Sequence, residues 1–249
     1  QMPAVLDLAR RWENAGGTCV VASDLGVLLA LNGEGSRLKR HLSLLASTFN
    51  SASVALFREL GVSRIVLPRE LRIEEMTDLV TSDTIMEYEA LVMYQKCQFV
   101  DGQCFFCHGL RLPKDAPALF DYERLPGRLL PVTWTLDPDY EGHGCQLEYR
   151  TPHGSVHHLR RDDWLMPHCA ACWLKVLVGV GVRHFKIAGR GYPIEMIVKA
   201  VRFLGQAISA QSQSISAGAE RQEIRRRYED TFGNACDDGR CYYRVKEVS

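Results

Sequence analysis

Hydrophobic and polar positions along the chain alternate between two periods. Val5, Leu8, Ala9 and Trp12 recur at helical spacing, which predicts a helix over Val5–Ala15 that Gly16-Gly17 stops. Thr18–Ala22 is a short apolar strand, and Ser23-Asp24 caps a helix over Leu25–Leu31. His41–Ala46 predicts the next strand, Ser47–Asn50 a loop, and Ser53–Leu60 a helix closed by Gly61. Arg64–Leu67 is a third strand, broken by Pro68. A helix follows from about Ile73 to Val80, and Met86–Met93 is a fourth strand. Strand, loop and helix alternate in this way along the first part of the chain. The rhythm implies a parallel sheet with right-handed crossovers, an α/β fold.

The rhythm weakens from Leu110 to Tyr140, where prolines stand at 113, 117, 126, 131 and 138. This stretch reads as an irregular insertion at about 108–160, with a strand at Val132–Leu136 and a hairpin of Gln146–Arg150 and Ser155–Leu159 across Pro152–Gly154. Regular patterning then resumes. Asp162-Asp163 caps an apolar helix ending at Gly181, on one face of which Cys169 and Cys172 fall. His184–Ala188 is a fifth strand, and a helix follows from Ile194 to about Ser209. The small polar residues Ala210–Ala217 predict a linker, Glu220–Asp230 a charged helix, and Cys236 and Cys241 lie in the tail. The expected organisation is therefore a body over 1–209 containing the insertion, followed by a 210–249 extension. The run Arg225–Arg227 reads as a solvated helix face.

Composition narrows the function classes. Thirty Lys and Arg balance thirty Asp and Glu, so net charge supplies no footprint for nucleic acid or anionic membrane. No apolar run is long enough to span a bilayer, and no secretory signal opens the chain. Nine cysteines is an odd number in a chain too large to need disulfide staples. A reducing cytoplasm and metal-bound thiols are the expectation. Cys19, inside an apolar strand, reads as a small buried hydrophobe.

The densest chemistry is Cys97-Gln-Phe-Val-Asp-Gly-Gln-Cys104-Phe-Phe-Cys107, just past the fourth strand. Further thiols stand at Cys145, Cys169 and Cys172. Soft sulfur donors select an iron–sulfur cluster or zinc, and zinc would accept two short pairs, Cys104/Cys107 and Cys169/Cys172. In parallel sheets chemistry gathers beyond the carboxyl ends of strands. Arg69, Glu70, Lys186 and Arg190 fall there, as candidates to bind a carboxylate or phosphate or as an ion-pair network. Neither a His-Glu-x-x-His zinc motif nor a Gly-x-Ser-x-Gly elbow occurs.

Four segments together resemble the collagenase-like peptidase family U-32. They are Ser43–Asn50; Ser63–Leu71 with Glu74-Glu75; Glu87–Met93 followed by Cys97 and Cys104; and Gly181–Arg190. The resemblance covers about residues 18–205. It implies a modified or incomplete (β/α) TIM-type barrel and a [4Fe–4S] cluster. It maps Cys97 and Cys104 onto the first two cluster ligands, Cys145 onto the third and Cys169 onto the fourth. The family's glycine- and arginine-rich segment is replaced by the proline-rich insertion, which makes Cys107 and Cys172 rival ligands.

Members of that family serve oxygen-independent hydroxylation of a ubiquinone precursor or of an RNA base, and others carry a peptidase label. The chain is therefore expected to support such a redox modification, on a small-molecule or RNA substrate, with peptidase and non-catalytic partner subunit as alternatives. About three opening strands of the family pattern are not evident. A missing upstream segment, a homologous subunit or self-association is expected to complete the barrel.

Overall fold

The computed structural model describes residues 2–94, 96–97, 100–103, 110–111, 133–134, 141–142, 149–150, 156–157, 168–189, 192–213 and 217–243. The chain forms two compact units, Gln1–Gln103 with Pro167–Ser249, and Cys104–Met166.

The larger unit is built on a six-stranded sheet. Its strands are β1 (Cys19–Ala22), β2 (Lys39–Leu42), β3 (Val62–Val66), β4 (Glu87–Tyr94), β10 (His168–Cys169) and β11 (His184–Ile187). The order runs β1-β2-β3-β4-β10, with β11 also paired to β4. Strands β1 to β4 and β11 are parallel, and β10 runs antiparallel to β4. Helices α2 (Leu25–Gly33), α3 (Ser51–Glu59) and α4 (Ile73–Ser82) make the crossovers, as the alternation predicts. Asp24 caps α2 by accepting from the Val27 amide, and Asn50 caps α3 by accepting from the Ser53 amide. The parallel α/β sheet is thus present.

The core gathers around β3 and β4. Ile65, Val66, Tyr88, Ala90, Val92 and Met93 are almost wholly buried, and Met76, Leu79, Leu177 and Phe203 close over them from helices α4, α5 (Leu174–Val180) and α6 (Ile194–Gln213). A second, smaller cluster joins Ala9 of α1 (Met2–Asn14) to Leu31 and Leu38.

Three local expectations are corrected. Strand β2 ends at Leu42, and Leu44–Ala46 forms a 3-10 turn because Ser43 caps it and Ser47 takes a left-handed conformation. The apolar helix expected to carry Cys169 and Cys172 begins only at Leu174. Cys169 lies on β10 and Cys172 in the 3-10 turn Ala171–Trp173, so the two share no helical face; pairing of the 168–169 segment with β4 overrides its apolar spacing. The polar stretch expected as a linker from Ala210 starts inside α6, which continues to Gln213 with Ala210 and Gln211 buried, and α7 (Ala217–Phe232) packs against α6.

The smaller unit contains a two-stranded sheet, β5 (Leu110–Arg111) with β7 (Glu141–Gly142), and a three-stranded one. The latter comprises β6 (Thr133–Trp134), β8 (Tyr149–Arg150) and β9 (Val156–His157), all antiparallel. The expected hairpin corresponds to the β8–β9 pair.

Candidate functional site

Two clusters of chemistry-bearing side chains form in the larger unit. The first lies beyond the carboxyl ends of β2, β3 and β4. Leu67 and Pro68 lead the chain out of β3 to Arg69 and Glu70. Arg69 donates from Nε to Asp101 Oδ2 at 2.6 Å and from a second guanidinium nitrogen to Oδ1. The two side chains are 12% and 5% exposed. Burial works against the Arg69 charge, but the Asp101 carboxylate outweighs it and holds the pKa above its ordinary value.

Asp101 is positioned by its own turn. Gly102 has a φ of +81°, and a Cβ there would stand 2.0 Å from the Leu45 carbonyl oxygen. Ser47 Oγ donates to the Asp101 carbonyl at 2.7 Å, closing the 44–47 turn onto the 101–102 turn. Tyr94, the last residue of β4, is a buried aromatic at φ +72°. Its ring stacks on Tyr192 with centroids 4.9 Å apart, and its hydroxyl donates to the Met196 carbonyl. Those contacts hold a conformation that bulky residues rarely adopt, and the chain then leads to Cys97. Cys97 lies within electrostatic range of Arg69.

Glu70 has both carboxylate oxygens buried and without a hydrogen-bond partner. Burial raises its pKa and the Asp101 charge adds to the rise; the amides of Glu70 and Asp101 oppose this without reaching hydrogen-bond geometry. Thr48 Oγ1 is likewise buried and unpartnered. Such groups favour a proton-bearing or polar ligand over an empty apolar environment.

One sheet face beneath this rim carries charge. Arg64 donates from Nη2 to Glu87 Oε2 at 2.7 Å and from Nη1 to Glu89 Oε2 at 3.3 Å. Lys186 Nζ stands 3.3 Å from Glu89 Oε1, and His184 Nε2 stands 3.3 Å from Glu87 Oε2. Burial lowers the His41 pKa, with Arg64 pushing the same way. Of the four residues expected to bind substrate, Arg69 and Lys186 therefore each pair with a carboxylate, Glu70 is a buried acid, and Arg190 lies outside the described residues.

The second cluster surrounds a small cavity lined by Cys169, Cys172, Cys236, Cys241, Asp237 and Arg240, with Phe203, Ile224 and Tyr228 behind them. The tail brings two of these thiols in. Cys241 bridges Cys169 in parallel register, the Tyr242 amide donates to the Cys169 carbonyl at 3.0 Å, and the Tyr243 hydroxyl donates to the Leu91 carbonyl at 2.9 Å. Burial pushes the Cys169 thiol up, and nearby Cys172, Cys236 and Cys241 push further; the Ala171 amide, 3.2 Å from its sulfur, pulls back. Burial and then Cys236 and Cys241 raise Cys172 to about 11, against the pull of Arg221 and Arg225. Among the described residues, no three His, Cys, Asp or Glu side chains already stand in metal-holding geometry.

Of the cysteines mapped as cluster ligands, Cys97 lies at the rim and Cys169 at the cavity, on β10 beside β4; Cys104, Cys145 and the rival Cys107 lie outside the described residues. The donor chemistry of Cys97 and Cys169 suits a thiolate-held group. Sequence reasoning missed Asp101 and Glu89 as charge partners. It also left Cys236 and Cys241 apart from the other thiols. Their short spacing, four residues between them, was the available signal.

An α/β protein with thiols and paired charges at the strand ends is the class these observations define. A family profile described as Peptidase family U32 matches residues 1–247, and the chain belongs to that family. It is also similar to tRNA hydroxylation protein P of Escherichia coli (strain K12), 29% identical over 89 residues, which is 36% of this chain and 20% of that protein. The Haemophilus influenzae (strain ATCC 51907 / DSM 11121 / KW20 / Rd) protein of the same name is 28% identical over 85 residues, 34% of this chain and 18% of the relative. The matched region thus spans about a fifth of these curated relatives. No solved structure matches the chain significantly. Among the described residues, no helix is long and apolar enough to cross a membrane.

Proposed function

We propose that the chain supports an oxygen-independent hydroxylation, with a transfer-RNA base as the substrate class and a reducing cytoplasm as the setting. The family match over residues 1–247, read with relatives named for tRNA hydroxylation, carries this reading. A ubiquinone precursor is the alternative substrate within the same chemistry. The parallel sheet belongs, on this reading, to a partial (β/α) barrel whose strand ends hold the substrate.

The resemblance that maps Cys97, Cys104, Cys145 and Cys169 as ligands assigns a [4Fe–4S] cluster to them. Cys97 and Cys169 suit this in donor chemistry and in coming from the end of β4 and the strand beside it. Such a cluster, when bound, supplies electrons one at a time. The chain's own residues do the rest. Glu70, whose buried carboxyl has its pKa raised by burial and by the Asp101 charge, places at the rim an acid whose protonated form can donate a hydrogen bond to a base or carbonyl oxygen. Arg69, locked by Asp101, holds a fixed positive charge beside it. Hydrolysis has no comparable support, because no nucleophile–base pair stands at this rim among the described residues.

The test compares tRNA nucleosides by mass spectrometry between cells with and without the chain. Hydroxylated nucleosides are expected to fall without it and to be restored by the parent chain but not by Cys97→Ala or Cys104→Ala. Unchanged nucleosides in the deleted cells refute the tRNA reading.

A second reading, a subunit completed by a homologous chain, rests on the sheet edge. Strand β1 pairs only with β2 among the described residues. Val21, Leu8 and Trp12 around it are 53%, 63% and 52% exposed. Co-purification with a homologous U32 subunit is the expected result; a purely monomeric chain with full activity excludes it.

A further inference from the structure

Cys97 lies on a circuit of contacts that closes through the tail. On one side of it, Lys96 Nζ donates to the Tyr242 carbonyl and stands 5.9 Å from the centre of the Tyr242 ring. On the other side, Asp101 accepts two hydrogen bonds from Arg69, and the Arg69 guanidinium also donates to the Tyr242 hydroxyl. Lys96, Tyr242, Arg69 and Asp101 are thus linked end to end, and Cys97 sits on the arc between Lys96 and Asp101. Tyr242 and Asp101 are 1% and 5% exposed, so solvent screens these bonds little.

Tyr242 also reaches Cys169, the other described thiol mapped as a cluster ligand. Its amide donates to the Cys169 carbonyl at 3.0 Å, and its ring meets His168 edge-on with centroids 6.1 Å apart. One tail residue is therefore bonded to the backbone of Cys169 through its N–H, to the neighbour of Cys97 through its C=O, and to Arg69 through its hydroxyl. A residue that merely covered the core would need no hydroxyl, because phenylalanine fills nearly the same volume.

We propose that Tyr242 is a positioning residue, which fixes the turn bearing Cys97 relative to the strand bearing Cys169. The inference rests on the reading of those two cysteines as ligands of one bound group, and it adds the tail to the parts that hold them. Arg69, expected from the sequence to bind substrate, is occupied within the circuit. A guanidinium suits that place because one planar fork serves Asp101 and Tyr242 together, which a lysine ammonium cannot match in geometry. Thiols ordered in advance lose less freedom when a group binds them, so its affinity rises.

The test uses the full chain purified anaerobically, metal-free and after reconstitution with iron and sulfide. Tyr242→Phe, Tyr242→Ala and Arg69→Lys are compared with Tyr243→Phe, which loosens the tail at Leu91 without cutting the circuit. In the metal-free chain, hydrogen exchange of the 96–103 segment and alkylation of Cys97 are measured by mass spectrometry. Both should quicken about threefold in Tyr242→Phe and Arg69→Lys and about tenfold or more in Tyr242→Ala, while Tyr243→Phe stays within about twofold of the parent. Exchange in α2 and α3 should keep the parent rate in every variant, which separates local release from general unfolding. In the reconstituted chain, iron should be lost to a chelator about tenfold faster in Tyr242→Ala, and the paramagnetic resonance lines of the reduced centre should broaden there but not in Tyr243→Phe.

Equal exchange and equal Cys97 alkylation in the Tyr242 and Tyr243 variants overturn the proposal, and both are read without any metal. If Tyr242→Ala does not fold, Tyr242→Phe against Tyr243→Phe decides it. A parent chain that takes up no iron and sulfide refutes the cluster reading instead, while the metal-free comparison still decides whether Tyr242 holds the Cys97 turn.

Discussion

The strand-end rim and the thiol cavity solve opposite electrostatic problems within one unit. At the rim, charges of both signs neutralise one another: Arg69 with Asp101, Arg64 with Glu87 and Glu89, Lys186 with Glu89. Among the described residues Glu70 has both carboxylate oxygens buried without a hydrogen-bond partner, and burial raises its pKa because the charged form is costly there. At the cavity, four thiols meet beside Asp237 and Arg240, and burial makes the charged form of Cys169 and of Cys172 costly. The rim is held by ion pairs, whereas the cavity is held by burial and by the backbone bond from Tyr242 to Cys169 that seats the tail. The rim is thus an ion-paired scaffold with one buried acid, and the cavity a place where the tail brings two thiols to two others.

The sharpest way to break this contrast is to unpair the rim. Asp101→Ala removes the carboxylate that pairs with the buried Arg69 guanidinium, leaving the neutral Tyr242 hydroxyl beside it, and is expected to cost about 3 kcal/mol in urea unfolding. The double change Arg69→Met with Asp101→Leu should recover most of that loss. If the single and double variants are equally unstable, the pair is not what the rim depends on. Gly102→Ala acts one step removed, by forcing a side chain onto the Leu45 carbonyl at a positive φ; about 2 kcal/mol is expected by the same assay.

On the cavity side, Tyr243→Phe removes the hydroxyl that seats the tail on Leu91. About 1 kcal/mol should be lost in urea unfolding. The smallest effect is a slope. The Glu70 pKa is raised above 4.5 in the folded chain. Below that pH both states carry the proton; as pH rises, the unfolded chain releases it first and stability falls until the folded group ionises. Glu70→Gln should remove this decline, so that its advantage over the parent grows in urea midpoints as pH rises above 4.5. A parent and variant with parallel pH profiles would show Glu70 to be solvated.

Much of the fold was legible because βαβ units write their period locally. Asp24 and Asn50 cap the helices that their position implied, and the Ser63–Leu71 and Glu87–Met93 segments form the adjacent strands β3 and β4. Cys169 shows the limit. Its apolar spacing suits a helix, yet β4 offers an edge with unpaired backbone groups, and two residues there pair as a strand instead. Ser43–Ala46 departs for a related reason, since a serine cap and a left-handed Ser47 turn an apolar run into a 3-10 turn. Arg69 and Glu70 were visible as strand-end residues, but nothing in the chain announced that Asp101, 32 positions later, would take up the arginine.

Taken alone, the amino-acid order determined the alternation of strands and helices, the family to which the chain belongs, and the supply of soft and charged side chains, because each of these is written in short-range pattern. Only the tertiary structure decided which of those side chains meet. Ion pairing and thiol convergence depend on strand order and on where the tail docks, and both are set by long-range backbone hydrogen bonds such as that from Tyr242 to Cys169, which no local spacing encodes.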